Sequence, residues 1–169
     1  MRKILPCLLI FAFCTSFCGC EKEPVKIEKP VNLYYRQSQI SYGSADGVIG
    51  ICITEGAGFE NDLLGLLNLY LRNTTDPAFS RTFPDGSQLV RLTVQDGAAQ
   101  AQLNNQFSRA AGIDLTIACA CLSLTIMELT SAESVTISAF NATLDGAESI
   151  TMTTDSILLL DLLEEPSDN

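Results

Sequence analysis

Thr82–Asn104 reads TFPDGSQLVRLTVQDGAAQAQLN, and the alternation within it decides the fold. Val90, Leu92 and Val94 fall on one side of an extended chain, with Arg91, Thr93 and Gln95 on the other. After Asp96-Gly97 the pattern resumes, with Ala99, Ala101 and Leu103 opposed to Gln100, Gln102 and Asn104. Asp-Gly supplies the positive φ angles of a two-residue hairpin turn, and Pro84-Asp85-Gly86 sets another turn ahead of the first strand. The expectation is an antiparallel pair in which each strand has one dry face.

Upstream of the hairpin, Val31–Gln37 and Val48–Thr54 are short, β-branched or aromatic runs that predict two more strands, joined by a Gly-rich passage from Tyr42 to Gly47. Glu55-Gly56-Ala57-Gly58 breaks the pattern. A helix over Phe59–Arg72 follows, with Phe59, Leu63, Leu66, Leu67 and Tyr70 on one face and Asn61, Gly65, Asn68 and Arg72 opposite. Glu60 and Asp62 suit the positive end of its dipole, and Asn73 with Asp76-Pro77 ends it.

Downstream, Ile113–Leu129 predicts a second helix that is apolar on two sides. Leu115, Ala118, Cys119, Leu122, Ile126 and Leu129 make one stripe. Ile113, Ile117, Ala120, Leu124 and Met127 make another, nearly opposite. One stripe should meet the sheet, and the second becomes the candidate interface, to be met by a further element or another protein molecule. Ser134–Asn141 alternates as a strand and Asp145-Gly146 closes it. Thr151–Leu163 has spacing that allows a short helix able to cover the second stripe, and residues 164–169 read as a frayed tail. The resulting fold class is α+β: a small mixed sheet with two helices packed on one face, in a single domain over residues 31–163.

Composition narrows the chemistry. The chain of 169 residues has no His, which removes the commonest general base and metal ligand. Its formal charge is −10. Without Arg2 and Lys3, eight of the ten basic residues face twenty acidic ones, a net of −12 from Cys20 onward. Such a surface repels polyanions, so nucleic acid is not an expected partner.

At the N-terminus, Met1-Arg2-Lys3 is a basic start and Ile4–Phe17 an apolar run, which together read as a secretory leader over residues 1–19. Gly19-Cys20 resembles the lipobox of bacterial lipoproteins, which implies that Cys20 is lipidated and becomes the new N-terminus. Glu21–Pro30 holds six charged residues and two prolines in ten, the composition of a solvated tether. At about 3.5 Å per residue it reaches no more than about 35 Å from a lipid surface. The expected location is the extracytoplasmic face of a bacterial cell membrane, with the membrane itself a partner through the lipid.

Three cysteines remain beyond Cys20: Cys52, Cys119 and Cys121. Two positions apart on a helix, Cys119 and Cys121 point about 200° from each other, so they cannot share one tetrahedral metal. Neither a metal nor another cofactor is expected. Packing residues are the main reading, and a disulfide from Cys52 to Cys119 or Cys121 is the alternative. Glu55, Glu60 and Asp62 could be drawn as a glycosidase carboxylate pair, but acids at a helix start are usually dipole partners. No catalytic residue is assigned.

Taken in order, LNLYLRN, then TFPDGSQLVRLTVQDGAAQAQLN, then TIMELTSAESVTISAFNATLDG resemble the GerMN domain of bacterial sporulation and spore-germination proteins. The matching positions are Pro84 and Gly86, Leu103 and Phe107, Leu129 and Thr130, Val135 and Ile137, and Asp145 and Gly146. The resemblance covers roughly residues 31–146. It implies a non-catalytic domain, similar to the ring-building domains of sporulation and secretion assemblies, that meets a protein partner or itself. The competing expectation is a lipoprotein that binds a small ligand or cell-wall fragment between the loops Gly43–Gly47 and Asn73–Arg81, in a pocket lined by Tyr42, Tyr70 or Phe79.

Overall fold

The Asp96-Gly97 hairpin forms as the alternation predicts, with β3 (Leu89–Gln95) and β4 (Ala98–Leu103) antiparallel and both turn residues at positive φ, 51° and 74°. The computed structural model describes residues 30–39, 47–55 and 58–157. Within these, β1 (Val31–Arg36) and β2 (Ile49–Thr54) precede helix α1 (Leu63–Tyr70). After the hairpin come α2 (Gly112–Thr130), β5 (Ser134–Ala139) and β6 (Ser149–Thr153).

The α+β class holds, but the strands divide into two sheets. One is the antiparallel ribbon β1–β2, and the other has four strands in the order β3-β4-β5-β6. Only β4 and β5 run parallel, and α2 is the crossover that a parallel pair requires. Both helices pack against the four-stranded sheet, α1 at β3 and α2 at β5 and β6, while α2 also packs against β1. A second sheet exists because α2 lies between β1 and the other strands.

One expected face is corrected. Ala99, Ala101 and Leu103 are buried as read, but Val90 is 52% exposed and Leu89 takes its place in the core. The register explains the change: Leu89 pairs with Leu103 and Arg91 with Gln102, so Val90 is the extra residue of a bulge. Asn68 holds that bulge from α1. Its side-chain amide donates to the Leu89 carbonyl at 3.1 Å, and its carbonyl accepts from the Leu89 N–H at 2.8 Å.

Helix α1 is shorter than Phe59–Arg72 because Asp62 caps it, accepting from the Gly65 N–H at 2.8 Å. Asn73 leaves the helix at φ 66°, and its side chain binds the backbone of Thr82 and Phe83 with three hydrogen bonds. The start of the predicted C-terminal helix, from Thr151, is also corrected. Ser149–Thr153 extends the sheet from β5, and one 3-10 turn, Thr154–Ser156, follows. Leu158 to Leu163 and the tail 164–169 lie outside the described residues.

Candidate functional site

Helix α2 is long and apolar enough to cross a membrane by length and composition, yet most of it is buried in the fold. The candidate interface lies on it. Ile117, Ala120, Leu124 and Met127 are buried within the chain itself, and Ile113 alone stays open, at 62% exposure. The stripe is therefore core and not a docking surface for another molecule. Met127 shows where it points: its sulfur receives the Thr154 hydroxyl at 3.8 Å, just beyond β6.

A third stripe, missed in the sequence, meets the ribbon. Asp114, Cys121, Thr125 and Glu128 recur at intervals that keep them within about 60° of one another around a helix. Asp114 pairs with Arg36 at 2.6 Å, and Glu128 accepts from the Asn32 amide at 3.0 Å. Between them, the buried Thr125 hydroxyl accepts from the Tyr34 N–H at 3.1 Å. The Arg36 N–H is taken in turn by the Thr82 hydroxyl at 3.0 Å. The free edge of β1 thus finds side-chain acceptors where a sheet would offer a strand. The available signal was the spacing of polar residues in an otherwise apolar helix.

Behind the ribbon the aromatic residues form one cluster. Tyr70 lies 4.9 Å from both Tyr35 and Phe83, and Phe79 lies 5.7 Å from Tyr35, measured between ring centroids. The Tyr70 hydroxyl donates to the Tyr34 carbonyl at 2.6 Å, and the Tyr35 hydroxyl to the Tyr70 carbonyl at 3.3 Å. Burial holds both phenols well above their ordinary pKa. Tyr70 is thus a buried packing residue, and the partly buried Phe79 packs against Tyr35. Tyr42 and residues 43–46 lie outside the described residues.

The thiols of Cys52, Cys119 and Cys121 are all free. Burial pushes the Cys119 thiol up to about 12 and Cys121 higher still, so neither supplies a thiolate nucleophile near neutral pH. The carboxylates act on backbone: Asp62 as the cap, and Glu60 accepting from the Gly58 N–H at 3.4 Å. A cleft of about 210 Å³ runs between Asn68, Arg72, Asn73, Asp85 and Gln88. Its two asparagines are already committed to the Leu89, Thr82 and Phe83 backbone, and Asp85 pairs with Arg81. Cys20 lies outside the described residues.

No family model and no curated protein matches the sequence. Among solved structures, the first GerMN domain of the sporulation protein GerM from Bacillus subtilis is similar, with a TM-score of 0.55 at 13% identity over 72% of this chain and 92% of that one. The tandem GerMN domains of the same protein give 0.51 at 16% identity, over 72% of this chain and 43% of that one. This chain therefore spans less than half of the tandem structure. The described residues have the fold of a GerMN domain, an α+β module.

Proposed function

We propose that this protein is a non-enzymatic interaction module, tied by a lipid on Cys20 to the extracytoplasmic face of a bacterial cell membrane and working in a sporulation or spore-germination assembly. The observation that carries this reading is the coincidence of a GerMN-like fold with Gly19-Cys20 at the end of an apolar leader. Buried protonated thiols and carboxylates spent on backbone caps support the non-enzymatic part. Because the second α2 stripe is core, a protein partner must use other surface. Ile51 and Ile53 on β2, together with Ile113 and Phe140, are the exposed large apolar residues furthest from the α1–β3 contact in the chain order.

The test is metabolic labelling with a palmitate analogue in the native host, followed by fractionation. Wild type should carry the label and sediment with membranes, while Cys20→Ser should lose both. An unlabelled wild type, or a Cys20→Ser protein that stays on the membrane, defeats the reading. Cross-linking of the lipidated protein in cells entering sporulation should then capture a protein of that assembly.

A further inference from the structure

The four-stranded sheet has a second face, turned away from the helices. Its core side holds Ala99, Ala101, Val135 and Ile137, all buried, so the residues between them point outward. The register sets Thr93, Gln100, Thr136 and Thr151 side by side across all four strands. A parallel row beginning at Arg91 runs on one side of this one, and a row beginning at Gln95 on the other. Across the three rows every residue is Thr, Ser, Gln or Ala except Arg91, and none is acidic or aromatic. The Thr136 and Thr151 hydroxyls already share a hydrogen bond of 2.9 Å.

That neutrality stands out in a chain with a net charge of −12 from Cys20 onward. The neighbouring acids sit at the ends of the strands, Asp96 and Glu133 at one end and Asp145 and Glu148 at the other. A solvated sheet face in such a protein would be expected to carry its share of carboxylates. Strand and row spacings give the face an area of about 400 Å². A stable protein partner needs about 800 Å² per side, so the face is too small for one. It suits a narrow chain that offers hydroxyl and amide groups and no charge to desolvate.

The geometry points to this face as a docking surface for a neutral, hydroxyl- and acetamido-bearing polysaccharide, the glycan strand of the cell wall. The choice of the wall rests on the extracytoplasmic location proposed above, which puts that polymer within reach of the tether. Gln100 and Gln102 supply amide donors and acceptors, and the threonines and serines supply hydroxyls that can do either. Without ring stacking the contact is weak for a single strand. It becomes effective where a surface holds many copies.

The test uses the purified full chain in detergent, whether or not Cys20 carries lipid, labelled with ¹⁵N and titrated with an N-acetylglucosamine hexamer. Amide shifts should be confined to β3–β6 and saturate with a Kd below about 1 mM. Gln100→Ala with Thr136→Val removes hydrogen-bonding groups without adding charge and should weaken binding at least tenfold. Gln100→Glu should weaken it as well, whereas Thr143→Glu, an equal charge on the exposed β5–β6 connection, should leave it unchanged. The absence of shifts up to several millimolar, shifts centred elsewhere, or equal loss from Thr143→Glu would overturn the inference. Since the hexamer meets purified protein, that failure is separate from a failure of Cys20 acylation.

Discussion

The ribbon β1–β2 and the four-stranded sheet grip the same helix by different means. In the sheet, each inner strand is satisfied by backbone on both sides, and the contact with α2 is apolar, through residues such as Val135 and Ile137. In the ribbon, β1 pairs along its length with β2, while on its other side backbone enters at Arg36, whose carbonyl accepts from the Ser80 N–H at 2.9 Å. That edge is otherwise closed by the Thr125 and Thr82 hydroxyls and flanked by Glu128 and Asp114. The difference teaches why α2 is apolar on two sides yet carries polar residues on a third. A sheet face asks a helix for hydrocarbon, whereas a strand edge asks it for hydrogen-bond acceptors.

Alkaline titration should have the largest effect, because it acts on groups that both grips keep dry. Burial raises Cys119 to about 12 from 9.0, and raises Cys121, Tyr35 and Tyr70 as well. The unfolded chain gives up the thiol protons near pH 9, while the folded chain holds them. Stability is therefore complete below about pH 9 and falls steadily as pH rises toward 12. Guanidinium midpoints measured from pH 7 to 11 check this, and a flat profile above pH 9.5 would contradict the burial of these groups.

Next come the apolar contacts of the two grips. Ile137→Ala, on a central strand, should cost about 4 kcal/mol, and Leu33→Ala, on the ribbon, about 2 kcal/mol, because a two-stranded ribbon can settle into the space left behind. Equal losses by urea denaturation would remove the distinction between them.

The sharpest comparison uses one substitution at two places. Thr125→Val keeps shape but strips the acceptor from the Tyr34 N–H, and should cost about 1–3 kcal/mol. Thr136→Val, on the outer sheet face, should stay within about 0.5 kcal/mol of wild type. Hydrogen exchange at Tyr34 should accelerate in the first variant alone.

The smallest effect belongs to the partly exposed Arg36–Asp114 pair. Arg36→Ala should lower stability by about 0.2–1 kcal/mol, and the loss should shrink in high salt. A salt-independent loss would mean that the arginine acts by packing its stem along the ribbon.

Much of the candidate site was legible for the same reason that parts of it were not. The polar outer face follows from alternation alone, since Gln100, Gln102, Thr136 and Ser138 occupy every second position of two strands. The fate of the Ile113, Ile117, Ala120, Leu124 and Met127 stripe did not follow. Helical periodicity says which residues share a side of α2 but not what lies against that side. The ribbon-facing stripe was hidden because Thr125 and Glu128 look like ordinary interruptions until β1 is seen to need them.

By itself the sequence determined the hairpin at Asp96-Gly97, the two helices, the position of every strand except β6, and the resemblance to a GerMN domain. These rest on turn chemistry and side-chain period, which are set by residues close together in the chain. Tertiary structure alone decided that β1 and β2 stand apart as a ribbon, that Val90 bulges out while Leu89 goes in, and that α2 is enclosed. Each of those depends on a partner far away in sequence: Asn68 for the Leu89 backbone, Thr125 for the edge of β1, and β5 for the edge on which β6 forms. Local pattern makes a strand possible, and a distant donor or acceptor settles where it lies.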